Sequence, residues 1–83
     1  MQPTPEQVHQ YIAEHLACEH LEVQGDGAHF QALIVSIAFE GKRTVARHQV
    51  VYQALGERMR EEIHALSMRT LTPAEYQAEA SHG

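Results

Sequence analysis

This sequence predicts a single α/β domain with the order α-β-β-α-β-α, a three-stranded mixed sheet with helices packed on it. Three observations carry that expectation. Thr4-Pro5-Glu6-Gln7 and Thr72-Pro73-Ala74-Glu75 are two copies of one helix-start signature. Gly25-Asp26-Gly27 separates two short apolar stretches with strand character. The last strand is reached only through a helical segment, which favours parallel pairing with a strand already in the sheet. With 83 residues there is room for one hydrophobic core and no second. The domain is expected to span 1–83, ordered over about 4–78 and frayed over 79–83.

In each helix-start signature the threonine is an N-cap and the proline takes the first helical position. The residue three beyond the cap can close a capping box. Val8, Tyr11, Ile12 and Leu16 recur at helical spacing and place the first helix at about 5–17. Leu21 and Val23 alternate with His20, Glu22 and Gln24, a short strand with one apolar face. The glycines of the following turn permit positive φ. His29–Ala38 reads as the central strand, and its continuous Ala32-Leu33-Ile34-Val35 points to burial on both faces. Gly41 breaks that strand. Thr44–Met59 has helical period, with Val45, His48, Val51, Tyr52, Leu55 and Met59 on a stripe about 120° wide. Ile63–Arg69 alternates as a third strand, and the final helix starts after Thr72.

Composition narrows the function classes. Hydrophobic residues make up 43% and charged residues 20%, as in a globular domain rather than a disordered chain. The longest purely apolar run, Ala32–Val35, falls far short of the roughly 20 residues a membrane span needs. Met1–Gln7 has neither the positive charge nor the apolar core of a secretory signal, so a cytoplasmic protein away from membranes is expected. The single Cys18 excludes an internal disulfide framework and a multi-cysteine metal site. A P-loop, a GxGxxG turn, a Ser or Cys nucleophile motif and a CxxC pair are all missing, so no enzyme is expected.

Charge is unevenly placed. Residues 1–41 hold six acids and no Lys or Arg, whereas 42–70 hold all six Lys and Arg against three acids. Arg43, Arg47 and Arg58 fall within about 60° of one another on a helical wheel. Such a basic segment on an acidic chain points to an anionic partner, or equally to a solvated mixed-charge surface. Gly41-Lys42-Arg43-Thr44 lacks the second glycine of a GxxG nucleic-acid loop.

Seven histidines are many for 83 residues, and imidazole is a ligand for Zn and Fe. His48, inside the apolar stripe, reads as a buried, hydrogen-bonded core histidine. His9, His15 and His20 read as surface or element-end residues, and His82 belongs to the tail. Cys18 reads as a small buried hydrophobe. His29 and His64 differ, because parallel pairing of the second and third strands would bring both to one end of the sheet. Two histidines with Asp26 make an incomplete iron site. A 2Fe–2S cluster needs four ligands, usually thiolates, with His sometimes replacing Cys on one iron. The missing thiolates would have to come from a partner.

In order along the chain, Gly25-Asp26-Gly27-Ala28-His29-Phe30, Phe39-Glu40-Gly41-Lys42, Arg47-His48-Gln49-Val50-Val51-Tyr52, Ile63-His64-Ala65-Leu66 and Thr72-Pro73 resemble the BolA family. The resemblance runs from about Thr4 to Tyr76. The short Gly-Asp-Gly turn is closer to the family's bacterial IbaG-like branch than to BolA proper. What the resemblance implies is a class II KH-like fold and a non-enzymatic role. Family members bind monothiol glutaredoxins, as apo heterodimers or bridged by a glutathione-ligated 2Fe–2S cluster, in cluster trafficking and iron sensing. The isolated chain would be a monomer or weak homodimer without cofactor. The family's C-terminal cluster histidine falls on His64. Asp26 stands where Cys-type members carry a Cys, so His29 is the candidate second metal ligand, with Asp26 behind it. Family members are also described as transcriptional regulators. A DNA-binding role would draw on Lys42, Arg43, Arg47, Arg58 and Arg60.

Overall fold

The computed structural model describes residues 4–26, 28–59 and 65–81, with residues 58 and 59 through the backbone alone. The elements are α1 (Pro5–His15), β1 (His20–Gly25), β2 (Phe30–Val35), α2 (Thr44–Leu55), β3 (Leu66–Leu71) and α3 (Pro73–Ser81). Short 3-10 turns lie at Ile37–Phe39 and Gly56–Met59. The expected order and mixed sheet are therefore present. Both capping boxes form as read: Thr4 with Gln7 (3.1 and 2.9 Å) and Thr72 with Glu75 (3.2 and 2.9 Å).

The sheet order is β1-β2-β3, with β2 antiparallel to β1 and parallel to β3. A tight turn suffices for the first pairing, while the second requires the crossover that α2 supplies. Strand alternation sends Phe30, Ala32 and Ile34 to the inner face, flanked by Leu21 and Val23 on β1 and by Leu66 and Met68 on β3. Val8 and Ile12 of α1, Leu16 just beyond its end, and Val51, Ala54 and Leu55 of α2 close over them. Each large aliphatic or aromatic side chain buried there contributes about 1.5–3 kcal/mol. On the outer face α3 crosses from β3 toward β1. Tyr76 stacks on His20 with ring centroids 5.0 Å apart, and Arg69 pairs with Glu79. No helix among the described residues is long and apolar enough to cross a membrane.

Several boundaries differ from the sequence reading. The first helix ends at His15, because Leu16 takes an extended conformation and turns into the core. The central strand spans Phe30–Val35 rather than His29–Ala38. Ser36 stops it: its hydroxyl accepts the Ala38 N–H (3.1 Å) and donates to the Ala17 carbonyl (2.6 Å). Burial on both faces holds only at the Val35 end, since Gln31 is exposed and Leu33 half-buried. The second helix ends at Leu55, because Gly56 turns to φ +62° and ψ −140°, a positive-φ conformation outside the helical region that glycine tolerates. The third strand spans Leu66–Leu71, running past its expected end at Arg69 so that Leu71 pairs with Val35, while the expected start at Ile63 lies outside the described residues. The last helix spans Pro73–Ser81.

The largest departure concerns the face α2 buries. Val45 is 71% exposed and His48 and Tyr52 are half-buried, whereas Val51, Ala54 and Leu55 are buried. On the wheel this rotates the inward face by about 70°, toward Arg47. Arg47 can face inward because four of its bonds are met there. Its Nε donates to the Lys42 carbonyl (2.8 Å). One terminal nitrogen donates to the Thr70 carbonyl (2.9 Å) and to Glu75 Oε1 (2.7 Å), and the other to Glu75 Oε2 (3.2 Å). This fork ties the start of α2 to the end of β3 and the first turn of α3.

The Arg47 guanidinium, with the Thr72 N–H, holds the Glu75 carboxyl at about 2 instead of its ordinary 4.5. A depressed carboxyl contributes stability that is complete above the ordinary value and fades as pH falls through the depressed one. The stability gap between wild type and Glu75→Gln in urea titrations should be widest at pH 6–7 and shrink between pH 4.5 and 2. A gap that stays constant over that range would contradict the tie.

Candidate functional site

The β1–β2 turn is built around Asp26. Its Oδ1 accepts the backbone N–H groups of Ala28 and His29, both at 3.0 Å, and its own N–H donates to the His29 carbonyl at 3.2 Å. Both backbone polar groups of His29 are thus pinned to one residue. The His29 N–H, then the Ala28 N–H, hold the Asp26 carboxyl below the usual carboxylate range. Gly25 is needed here for space rather than for handedness, since its φ is not positive. A Cβ at that position would sit 2.7 Å from Phe30 Cδ1 and 2.9 Å from the His29 carbonyl oxygen. The His29 side chain stays exposed beside a depression of about 270 Å³ lined by Gln24, Gly25, Asp26, His29 and Gln31.

The register pairs Phe30 with Leu66. The start of β2, which follows His29, therefore lies beside the start of β3, as the parallel expectation required. His64 itself lies outside the described residues. Among the described residues no three His, Cys, Asp or Glu side chains converge into a group able to hold a metal ion. An exposed imidazole on a pinned turn can offer one bond to a borderline metal such as iron. Among the described residues this end of the sheet supplies at most His29 and Asp26, too few to hold a 2Fe–2S cluster by themselves.

The remaining histidines and the cysteine are otherwise occupied or merely exposed. His9 is exposed, the His15 ring bonds the Tyr11 carbonyl at 3.0 Å, and His20 bonds Glu22 while stacking on Tyr76. His48 is not a buried core histidine: it is half-buried and meets Tyr52 edge-on at 6.5 Å. Its expected burial fails because the helix turned toward Arg47. Cys18 packs half-buried against the core, its Sγ–H donating to the Leu16 carbonyl (3.3 Å), and burial pushes its thiol up. His82 lies outside the described residues.

The described residues of the basic segment divide into separate roles. Lys42 and Arg43 are exposed just before α2, while Arg47 is turned inward and spent on Glu75 and two carbonyls. The backbone of Arg58 lies in the turn beyond the far end of α2, a 12-residue helix about 18 Å long. A helical wheel removes that axial distance, which is why the three arginines looked adjacent. Arg60 lies outside the described residues. Sequence reasoning missed the exposed Ile37, 61% accessible, and Val45 on either side of Lys42 and Arg43; no periodicity signal marks them. This basic and apolar tip stands at the Val35 end of β2. The Asp26–His29 turn stands at the Phe30 end, about 17 Å away along the strand.

Three helices, a mixed three-stranded sheet, an aspartate-built hairpin turn and a parallel third strand define a small α/β domain of the kind seen in solved BolA structures. The chain belongs to the BolA family: the sequence model described as BolA-like protein matches residues 2–75. Over 62 residues it is 40% identical to the acid stress protein IbaG of Escherichia coli strain K12, covering 74% of each chain. Over 60 residues it is 42% identical to the DNA-binding transcriptional regulator BolA of Haemophilus influenzae, covering 72% of this chain and 58% of that one. The chain thus spans less than two thirds of the Haemophilus protein. A BolA homologue from Coxiella burnetii has a solved structure that superposes with TM-score 0.80 at 41% identity. The superposition covers 90% of this chain and 97% of that one.

Gly25→Ala should cost about 1–3 kcal/mol, because the backbone carbonyl of His29 has to move along with the Phe30 ring. Denaturant unfolding of the variant measures that cost. An unchanged midpoint would contradict the close approach.

Proposed function

We propose that the chain is a non-enzymatic adaptor that binds a monothiol glutaredoxin, directly or through a shared glutathione-ligated 2Fe–2S cluster, in iron–sulfur cluster trafficking and iron homeostasis. The observation that supports this reading best is the Phe30–Leu66 register, which sets the chain segments following His29 and His64 at one end of the sheet. Membership of a family of regulators and adaptors agrees with a role by association rather than by catalysis. His64 would supply one imidazole and His29 the second, with Asp26 as the alternative to His29. When bound, the cluster supplies a transferable iron–sulfur unit. The chain's own residues present nitrogen donors at one sheet end and leave the thiolates to the partner and glutathione.

A DNA-binding regulator is the second reading. It is supported by the exposed Lys42 and Arg43 ahead of α2 and by the description of the Haemophilus relative. Two features weigh against it. Arg47 is consumed internally, and the net charge of −5 opposes approach to phosphate. Lys42 and Arg43 alone would give weak binding that falls steeply with salt.

Cluster reconstitution with a monothiol glutaredoxin and glutathione, followed by visible circular dichroism, tests the first reading. The mixed complex should give a spectrum distinct from the glutaredoxin homodimer, and His64→Ala should abolish the difference. A heterocomplex spectrum unaffected by His64→Ala would remove that residue from the site. Fluorescence anisotropy with duplex DNA tests the second. No binding is expected near 0.15 M salt; tight binding there that Lys42→Glu/Arg43→Glu abolishes would reverse the order of the two readings.

A further inference from the structure

We propose that Asp26 is a positioning residue rather than a ligand: its carboxylate holds the backbone of His29 so that the imidazole is presented outward at the end of the sheet. This rests on the adaptor reading above and decides between the two residues left there as alternatives for the second ligand. Three hydrogen bonds carry it. Asp26 Oδ1 accepts from both the Ala28 and the His29 N–H at 3.0 Å, and the Asp26 N–H donates to the His29 carbonyl at 3.2 Å. Both amides lie on Oδ1, so a carboxylate that holds them has only Oδ2 left for a metal, and chelation through both oxygens would release them. His29, by contrast, has its backbone fully engaged and its side chain exposed.

The packing around the turn supports the same division of roles. Phe30 is buried in the core immediately after His29, and its ring lies against the Gly25 Cα, where a side chain has no room. With Phe30 seated below and Asp26 bonded beside it, His29 has little backbone freedom. A ligand held this way loses less conformational entropy on binding a metal than one on a loose loop. The short side chain of Asp26, three residues before His29, spans the turn as Asp and Asn side chains do in Asx turns.

The test uses three variants of the full chain, Asp26→Asn, Asp26→Ala and His29→Ala, and two readouts. The first is amide hydrogen exchange at Ala28 and His29 in the protein without metal. Asp26→Asn keeps an Oδ1 acceptor and should leave the rates within about twofold, whereas Asp26→Ala should speed them about tenfold. The second is the visible circular dichroism of the cluster-bridged complex with a monothiol glutaredoxin and glutathione. Asp26→Asn should keep the wild-type spectrum, Asp26→Ala should weaken it and His29→Ala should change it. Loss of the spectrum in Asp26→Asn with unchanged amide exchange would make Asp26 a ligand and overturn the proposal. Unchanged exchange in Asp26→Ala would overturn it as well, by removing the anchor. If the anchor holds but His29→Ala leaves the spectrum intact, the histidine is no ligand; the failure then lies with the adaptor site and the turn geometry stands.

Discussion

The parallel pairing of β2 with β3 is the constraint on which the rest of this molecule depends. Parallel neighbours cannot be joined by a turn, so α2 has to run the length of the sheet between them. That crossover gives the domain two ends with different chemistry. At one end β2 and β3 both start, with the Asp26–His29 turn beside them. At the other, β2 gives way to the exposed Ile37, Lys42, Arg43 and Val45. A slip of one residue in this register would send Phe30, Ala32 and Ile34 from the core to the opposite face, so burial itself specifies the pairing.

The Arg47–Glu75 fork secures the second end. Glu75 closes the capping box of α3 and accepts both terminal nitrogens of Arg47, while Arg47 also satisfies carbonyls at Lys42 and Thr70. One half-buried cation thus joins a helix start, a strand end and a second helix start. An arginine suits this place better than a lysine, because its planar fork meets a carboxylate with two parallel bonds. The same fork commits Arg47 to the scaffold, while Lys42 and Arg43 precede α2 and the Arg58 backbone lies beyond its far end.

Most of the architecture was legible because its signals are local. Two Thr-Pro capping signatures, a Gly-Asp-Gly turn and strand alternation are each read within a few residues; both caps form as read, and the strands keep their order with shifted ends. What escaped reading depended on distant partners. The face of α2 was misjudged because Arg47 counts as an outward residue until Glu75, 28 positions later, is known to meet it. Ser36 looked like part of a strand because its bond to the Ala17 carbonyl joins segments 19 residues apart. Of the candidate site, His29 and Asp26 could be named from the turn, but the anchoring of one by the other is a matter of geometry. His64 and the iron–sulfur partnership rest on the family resemblance.

If the end of the sheet that carries His29 is where an iron–sulfur partner sits, the chain presents nitrogen donors there and the opposite tip stays free for a different contact. The most direct measurement is residue-resolved NMR of the labelled chain during titration with a monothiol glutaredoxin. Shifts concentrated at Gln24–Gln31 and at Ala65–Leu66 are the predicted result. Shifts confined to Ile37–Val45, with the hairpin turn unmoved, would contradict the account.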